Sequence, residues 1–269
     1  MTPTKPPALS ATGLCVGYAG MQVLRGLDLR IAPGTFTALT GANGSGKSTL
    51  LRSFCRNLRP TAGTVALDGM DLRTLPARRI ARRLAFLSQN PMAPEGLPLA
   101  ELIRLGRHPH RGPFARWSQD DAHACADAMR MTRTEAFAAR ALETLSGGQR
   151  QRGWIAMALA QQTEILLLDE PTTFLDLSHQ IEVMELLVRL VRREGKTVVA
   201  VLHDLNQAAR YVDRMAVLRD GAILTEGSPA EVMTAETLWT GFGVQAEVHP
   251  DPVTGSPMAL PRAMQSDHS

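Results

Sequence analysis

Two stretches of the chain, 165–168 and 198–202, are apolar without a break and too short for helices. Such runs suit strands buried on both faces of a parallel sheet. Between them, Ile181, Met184, Leu187, Val188 and Val191 recur at helical spacing. Glu182, Glu185, Arg189 and Arg192 face the other way, and Glu185 and Arg189 form a favourable i,i+4 pair, so 179–194 reads as an amphipathic helix. Nearer the N-terminus, 14–18, 27–31, 36–40, 63–67 and 84–87 read as strands, with a turn at Pro33-Gly34. After 36–40 a glycine-rich loop leads into Leu50, Leu51, Phe54 and Leu58, again at helical spacing. Segments 215–218 and 222–225 flank Asp220-Gly221, which predicts a hairpin.

From 91 to about 145 the texture changes. Pro91, Pro94, Pro98, Pro109 and Pro113 punctuate short helical pieces, an alanine-rich helix is expected over 120–141, and strand alternation is missing. The pattern is that of a helical insertion into an α/β core, with helix resuming over 154–160. Gly153 stands at a helical position where alanine would be about 1 kcal/mol better. Beyond Phe242 the chain is rich in Pro, Asp and Ser, and its last residues are expected to fray.

At 269 residues, 44% of them hydrophobic, the chain can bury a sizeable core. Its pI is about 9.0, yet its net charge is only +3 and 26 of its 29 basic residues are arginine. That balance points to coding bias and not to a nucleic-acid surface. The densest basic run, Arg78, Arg79, Arg82 and Arg83, is expected on a solvated helix face. Cys15, Cys55 and Cys125 lack metal-site spacing and are odd in number, which suits a reducing compartment. The N-terminal residues show no apolar leader, and no apolar run approaches a membrane span. A cytoplasmic chain, or one held at a membrane by partners, is expected.

The chemistry concentrates at Gly41-Ala42-Asn43-Gly44-Ser45-Gly46-Lys47-Ser48-Thr49. Glycines at this spacing let backbone N–H groups turn inward around phosphate oxygens, and the following helix N-terminus adds partial positive charge. Lys47 would reach the β- and γ-phosphates, and Ser48 would offer its hydroxyl to Mg²⁺. The strand at 165–168 ends in Asp169-Glu170: Asp169 is placed to hold Mg²⁺, and Glu170 to orient or deprotonate an attacking water. The strand at 198–202 ends in His203, a candidate γ-phosphate contact.

The loop alone does not choose among kinases, GTPases and transport ATPases. Leu145-Ser146-Gly147-Gly148-Gln149 does. Together with Tyr18, Gln89, 165–170, Asp176 and His203, taken in that order, the chain resembles the ATP-binding subunit of an ABC transporter over 9–261. The resemblance implies an α/β P-loop NTPase core (9–89 and 160–245) with an antiparallel β subdomain, an ABC-type helical subdomain at 90–159, a C-terminal extension at 246–261, and flexible tails at 1–8 and 262–269. It also implies roles for single residues. Tyr18 would stack on adenine, and Gln89 would contact Mg²⁺ and the attacking water and sense a transmembrane permease. Ser146, Gly147, Gly148 and Gln149 would meet ATP held by a second copy, and Asp176 would cross the interface of a head-to-tail homodimer. Hydrolysis of two ATP would then drive transport from the cytoplasmic face of the membrane, with a periplasmic or surface binding protein involved indirectly.

Within the family, 170–180, 201–211 and 251–257 resemble ferric-siderophore and ferric-citrate importers. Cobalamin and haem importers are close alternatives, and a soluble ABC ATPase is a further one. Thr173-Phe174 departs from the Ser-Ala of most relatives. The loop region 91–114, with basic, histidine-bearing Arg107-His108-Pro109-His110-Arg111, is expected to receive a short cytoplasmic helix of the permease.

Overall fold

The computed structural model describes residues 7–18, 20–112 and 114–262, which fall into two compact units, 1–72 with 199–269 and 73–198. In the first unit, β1 (Leu9–Tyr18) and β2 (Met21–Ile31) pair antiparallel with alternating burial, as strands with one wet face do. β3 (Phe36–Gly41) is buried at all six positions and runs through the glycine loop into α1 (Lys47–Phe54). β4 (Ala62–Leu67) and the short β5 (Met70–Asp71) complete a four-stranded antiparallel sheet in the order β2-β1-β4-β5.

The second unit opens with α2 (Ala77–Arg83) and β6 (Leu84–Leu87), then turns helical through α3 (Leu99–Leu105), α4 (Gln119–Thr132) and α5 (Gly147–Ala160). β7 (Ile165–Asp169), buried throughout, pairs parallel with β6 in the register Leu87↔Leu168. The amphipathic α6 (Leu177–Glu194) follows, and β8 (Thr197–Val201) carries the chain back into the first unit. There α7 (Leu205–Tyr211) leads to β9 (Arg214–Arg219) and β10 (Ala222–Gly227), the expected hairpin. β3 pairs parallel with β9, so the first unit carries the strand order β10-β9-β3-β8. Two short helices, α8 (Pro229–Val232) and α9 (Ala235–Phe242), and the strands β11 (Ala246–Pro250) and β12 (Pro257–Pro261) end the described chain.

The alanine-rich helix stops at Thr132 and does not reach 141. The Thr132 and Thr134 hydroxyls both donate to carbonyls of the last turn, and Arg133 takes a left-handed φ of 54°. Short 3₁₀ turns follow at Glu135–Phe137 and Leu142–Thr144. In the Pro- and Asp-rich end, β11 and β12 form a hairpin whose turn is held by the Asp251 carboxylate, which accepts the Val253 and Thr254 N–H groups. Those bonds, led by the one from Val253, hold the Asp251 carboxyl below its usual value. The hairpin is fastened to α7 by the Asn206 amide, which donates to the Ala259 carbonyl (3.1 Å) and accepts its N–H (2.7 Å).

Arg78, Arg79 and Arg82 are exposed, as expected, and there Arg78 and Arg82 donate through Nε to the Pro109 carbonyl. Arg107, by contrast, is not part of an open receptor. It is 4% exposed and donates to the equally buried Asp121 (2.8 Å), to the Ala160 carbonyl and to the Gln162 amide oxygen. The His110 ring bonds the Gln161 carbonyl (2.7 Å), and burial pushes its pKa down. Gly153 now has a physical account, since a Cβ there would overlap Leu99 Cδ1 of α3. The missing methyl is what lets the two helices close. Most of the two expected tails lies outside the described residues; Ala8, at the inner edge of the first, is buried and bonded to Ile31 and Asp68.

Candidate active site

β3 delivers its chain direction straight into Gly41, whose φ of 140° and close approach to the Leu218 carbonyl admit no side chain. Gly44 and Gly46 also have positive φ, 79° and 104°. Ala42, Asn43 and Gly44 form an exposed tip, while Ser45, Lys47 and Thr49 are buried and Ser48 half-buried. α1 begins at Lys47 without a side-chain cap, so its first N–H groups have no protein acceptor from Gly46. Lys47, 6% exposed, donates through Nζ to the Gly41 (2.8 Å) and Ala42 (2.9 Å) carbonyls. The Ser45 hydroxyl is buried and makes no hydrogen bond among the described residues. A buried ammonium, an unsatisfied hydroxyl and an uncapped helix start together fit a phosphate group.

Tyr18 closes β1 with 40% of its surface exposed, a ring offered to solvent as a stacking face. Tyr18→Ala is expected to lose about 1–3 kcal/mol of nucleotide affinity and Tyr18→Phe none, read by titration with a fluorescent ATP analogue. Equal affinity of all three proteins would leave Tyr18 a strand residue only. His203 is exposed just past β8, and Asp204 beside it caps α7 by accepting the Gln207 N–H (2.9 Å). The loop, Tyr18 and His203 all belong to the first unit.

The second unit holds the rest. β7 ends in Asp169, 2% exposed, and Glu170 then turns with a left-handed φ of 56°, a conformation a bulky L residue rarely takes. Because β6 and β7 pair in register, Gln89 lies beside it: Gln89 Nε2 donates to Glu170 Oε2 at 2.6 Å, and the Thr173 hydroxyl donates to the same oxygen at 3.0 Å. Ser146 caps α5 in a reciprocal box, its Oγ accepting the Gln149 N–H while Gln149 Oε1 accepts the Ser146 N–H. Gly147 and Gly148 make up the bare first turn behind that cap. Asp176 caps α6, and the His179 N–H, the Ser178 hydroxyl and the His179 ring hold its carboxyl down to about 2. Gln89, Glu143, Gly147, Trp154, Glu170 and Phe174 line one cleft of about 600 Å³.

Two participants were missed from sequence. Thr173 was noted only as a departure from the usual motif, although its spacing of three from Glu170 is that of a turn bond. His179 was read as a helix start, and only the fold shows its ring against Gly148.

A family model described as "ABC transporter" matches residues 24–173. The chain is similar to the ferric enterobactin transport ATP-binding protein FepC of Escherichia coli, 46% identical over 92% of both chains. It is also similar to the achromobactin transport ATP-binding protein CbrD of Dickeya dadantii, 45% identical over 94% of both. Among solved structures, a bacterial ABC transporter cassette determined as a dimer superposes with a TM-score of 0.72 at 31% identity, covering 82% of this chain and 98% of the other.

Proposed function

We propose that this chain, which belongs to the ABC transporter family, is the ATP-hydrolysing subunit of an importer of ferric siderophores or ferric citrate. It acts as a head-to-tail pair of copies on the cytoplasmic face of a membrane permease, with a periplasmic or surface binding protein delivering the cargo. The hydrolytic part rests on one observation: the Glu170 carboxylate, in a left-handed turn, is gripped by Gln89 and Thr173 in the cleft that Gly147 also lines. A carboxylate so fixed can orient a water and accept its proton. Gln89, bonded to it, is the side chain through which movement of a partner in the cleft would reach the catalytic carboxylate.

Lys47 and the N–H groups of Gly41 to Thr49 would bind the β- and γ-phosphates and stabilise the charge that builds there. Tyr18 would hold the adenine and His203 the γ-phosphate. Ser146 to Gln149 and Asp176 would complete the site of the opposite copy; the similar cassette was determined as a dimer, which supports a pairing of copies. The Ser48 hydroxyl, Gln89 amide oxygen and Asp169 carboxylate are hard oxygen donors of the kind Mg²⁺ takes. Among the described residues no three His, Cys, Asp or Glu side chains group as a metal cage, which suits an ion shared with phosphate oxygens. Mg²⁺ when bound neutralises charge on the β- and γ-oxygens.

No helix among the described residues is long and apolar enough to cross a membrane, so the transport path would belong to the permease. The cleft at Gln89 is the proposed seat of its short cytoplasmic segment; Arg107 and His110 are committed to internal bonds and lie outside it. The cargo reading rests on the relatives, which are named for ferric enterobactin and achromobactin transport. A strain lacking this chain is expected to fail to accumulate radiolabelled iron from ferric siderophores or ferric citrate, with wild-type but not Glu170→Gln restoring it. Normal uptake of every ferric chelate beside failed cobalamin or haem uptake would reassign the cargo and leave the importer.

A further inference from the structure

α5 and α6 start with the two motifs offered to the opposite copy, and a single imidazole stands between them. His179, in the first turn of α6, bonds Asp176 twice: its N–H donates to Oδ1 at 3.0 Å, and its ring Nδ1 meets the same oxygen at 2.7 Å. The other side of the ring faces the first turn of α5. A Cβ built on Gly148 would lie 2.8 Å from His179 Nε2 and closer still to Cγ and Cδ2. The ring cannot swing clear without giving up its bond to Asp176. Further along the same pair of helices, Arg152 of α5 is ion-paired with Glu182 of α6. The two helices are therefore joined at two levels, and the upper join is made of a histidine filling the space left by a glycine.

We propose that His179 is a positioning residue that keys the Gly147-Gly148 turn to Asp176, so that both motifs approach the second copy as one rigid piece. This rests on the reading above that Ser146 to Gln149 and Asp176 meet the nucleotide of the opposite copy. It also gives Gly148 a second reason to be glycine: the methyl of alanine is excluded by the imidazole of its own chain, before any nucleotide is considered.

The two reasons separate by size exchange. His179→Ala removes Cγ, Cδ2 and Nε2, the atoms that a Cβ on Gly148 would meet, at the cost of the ring's bond to Asp176. In a Glu170→Gln background, ATP-driven dimerisation is followed by analytical ultracentrifugation, with ATP affinity at low protein concentration as the check that the loop at 41–49 is intact. Gly148→Ala is expected to weaken dimerisation by at least about tenfold (about 1.4 kcal/mol). Combining it with His179→Ala should bring dimerisation to within about threefold of His179→Ala alone, since removing overpacking returns what it cost. A double variant still about tenfold below His179→Ala alone would overturn the proposal and leave Gly148 serving the nucleotide only. His179→Leu is the second arm, because it keeps bulk and loses the bond. It should lower dimerisation about tenfold with ATP affinity unchanged, and wild-type dimerisation in that variant would equally sink the proposal. If the Glu170→Gln parent itself stays monomeric with ATP, the shared-site reading has failed, a result distinguishable from failure of the size exchange.

Discussion

Glu170→Gln is expected to keep ATP binding and lose about 10²–10⁴-fold in turnover, the range that a positioned general base contributes. The substitution is nearly isosteric, and the amide oxygen can still accept from Gln89 and Thr173, which now hold Oε2 at 2.6 and 3.0 Å. What it cannot do is take a proton from water. Because φ at this position is 56°, replacement by alanine would change the turn as well as the chemistry, and glutamine is the cleaner probe. The protein should accumulate as an ATP-bound dimer on size exclusion. Near-normal hydrolysis would remove Glu170 from the mechanism.

The other large effect concerns folding. Arg107→Ala is expected to cost about 3–5 kcal/mol, since it strands a buried carboxylate whose partner it was. That is a large part of the 5–15 kcal/mol by which a domain is ordinarily stable. Asp121 is 4% exposed, and its second oxygen accepts the Ser118 N–H and hydroxyl, so it cannot turn to water without breaking a helix cap. Burial alone would raise the Asp121 carboxyl, but the Arg107 and Ser118 bonds outweigh it and hold it below its ordinary value. The unfolded chain therefore binds this proton at higher pH than the folded one. Asp121 thus contributes stability above about pH 4 that is lost as the pH falls further. His110, lowered by burial and faced by Arg107, Arg82 and Asp121, adds a second acid-side loss starting near its ordinary value of about 6.5. Urea unfolding from pH 7 to pH 3 should show both slopes in the wild type. In Arg107→Ala the midpoint should fall at neutral pH and the slope below pH 4 should flatten. An unchanged midpoint would mean the pair contributes nothing.

The sequence carried the active-site motifs because their chemistry demands particular residue types at short spacing. Gly41, Gly44 and Gly46 are visible to anyone who asks where a backbone must take positive φ, and 165–170 because a strand buried on both faces must be apolar until its acids appear. What stayed hidden depends on partners far along the chain. Arg107 looked like a surface base because Asp121, Ala160 and Gln162, which bury it, are 14, 53 and 55 residues away. Gly153 looked like a propensity error until Leu99 of another helix was seen against it. The hairpin of β11 and β12 escaped because an aspartate side chain, not strand alternation, organises its turn.

The clamp of Asn206 on Ala259 has a consequence in time. The two residues are 53 positions apart. At about 5–20 residues per second of synthesis, roughly 3–10 s pass between the making of Asn206 and the making of its partner. The helix that follows His203 is thus pinned only after that delay, and a ribosome that stops between the two residues releases a chain with the whole loop at 41–49 present and that helix unfastened.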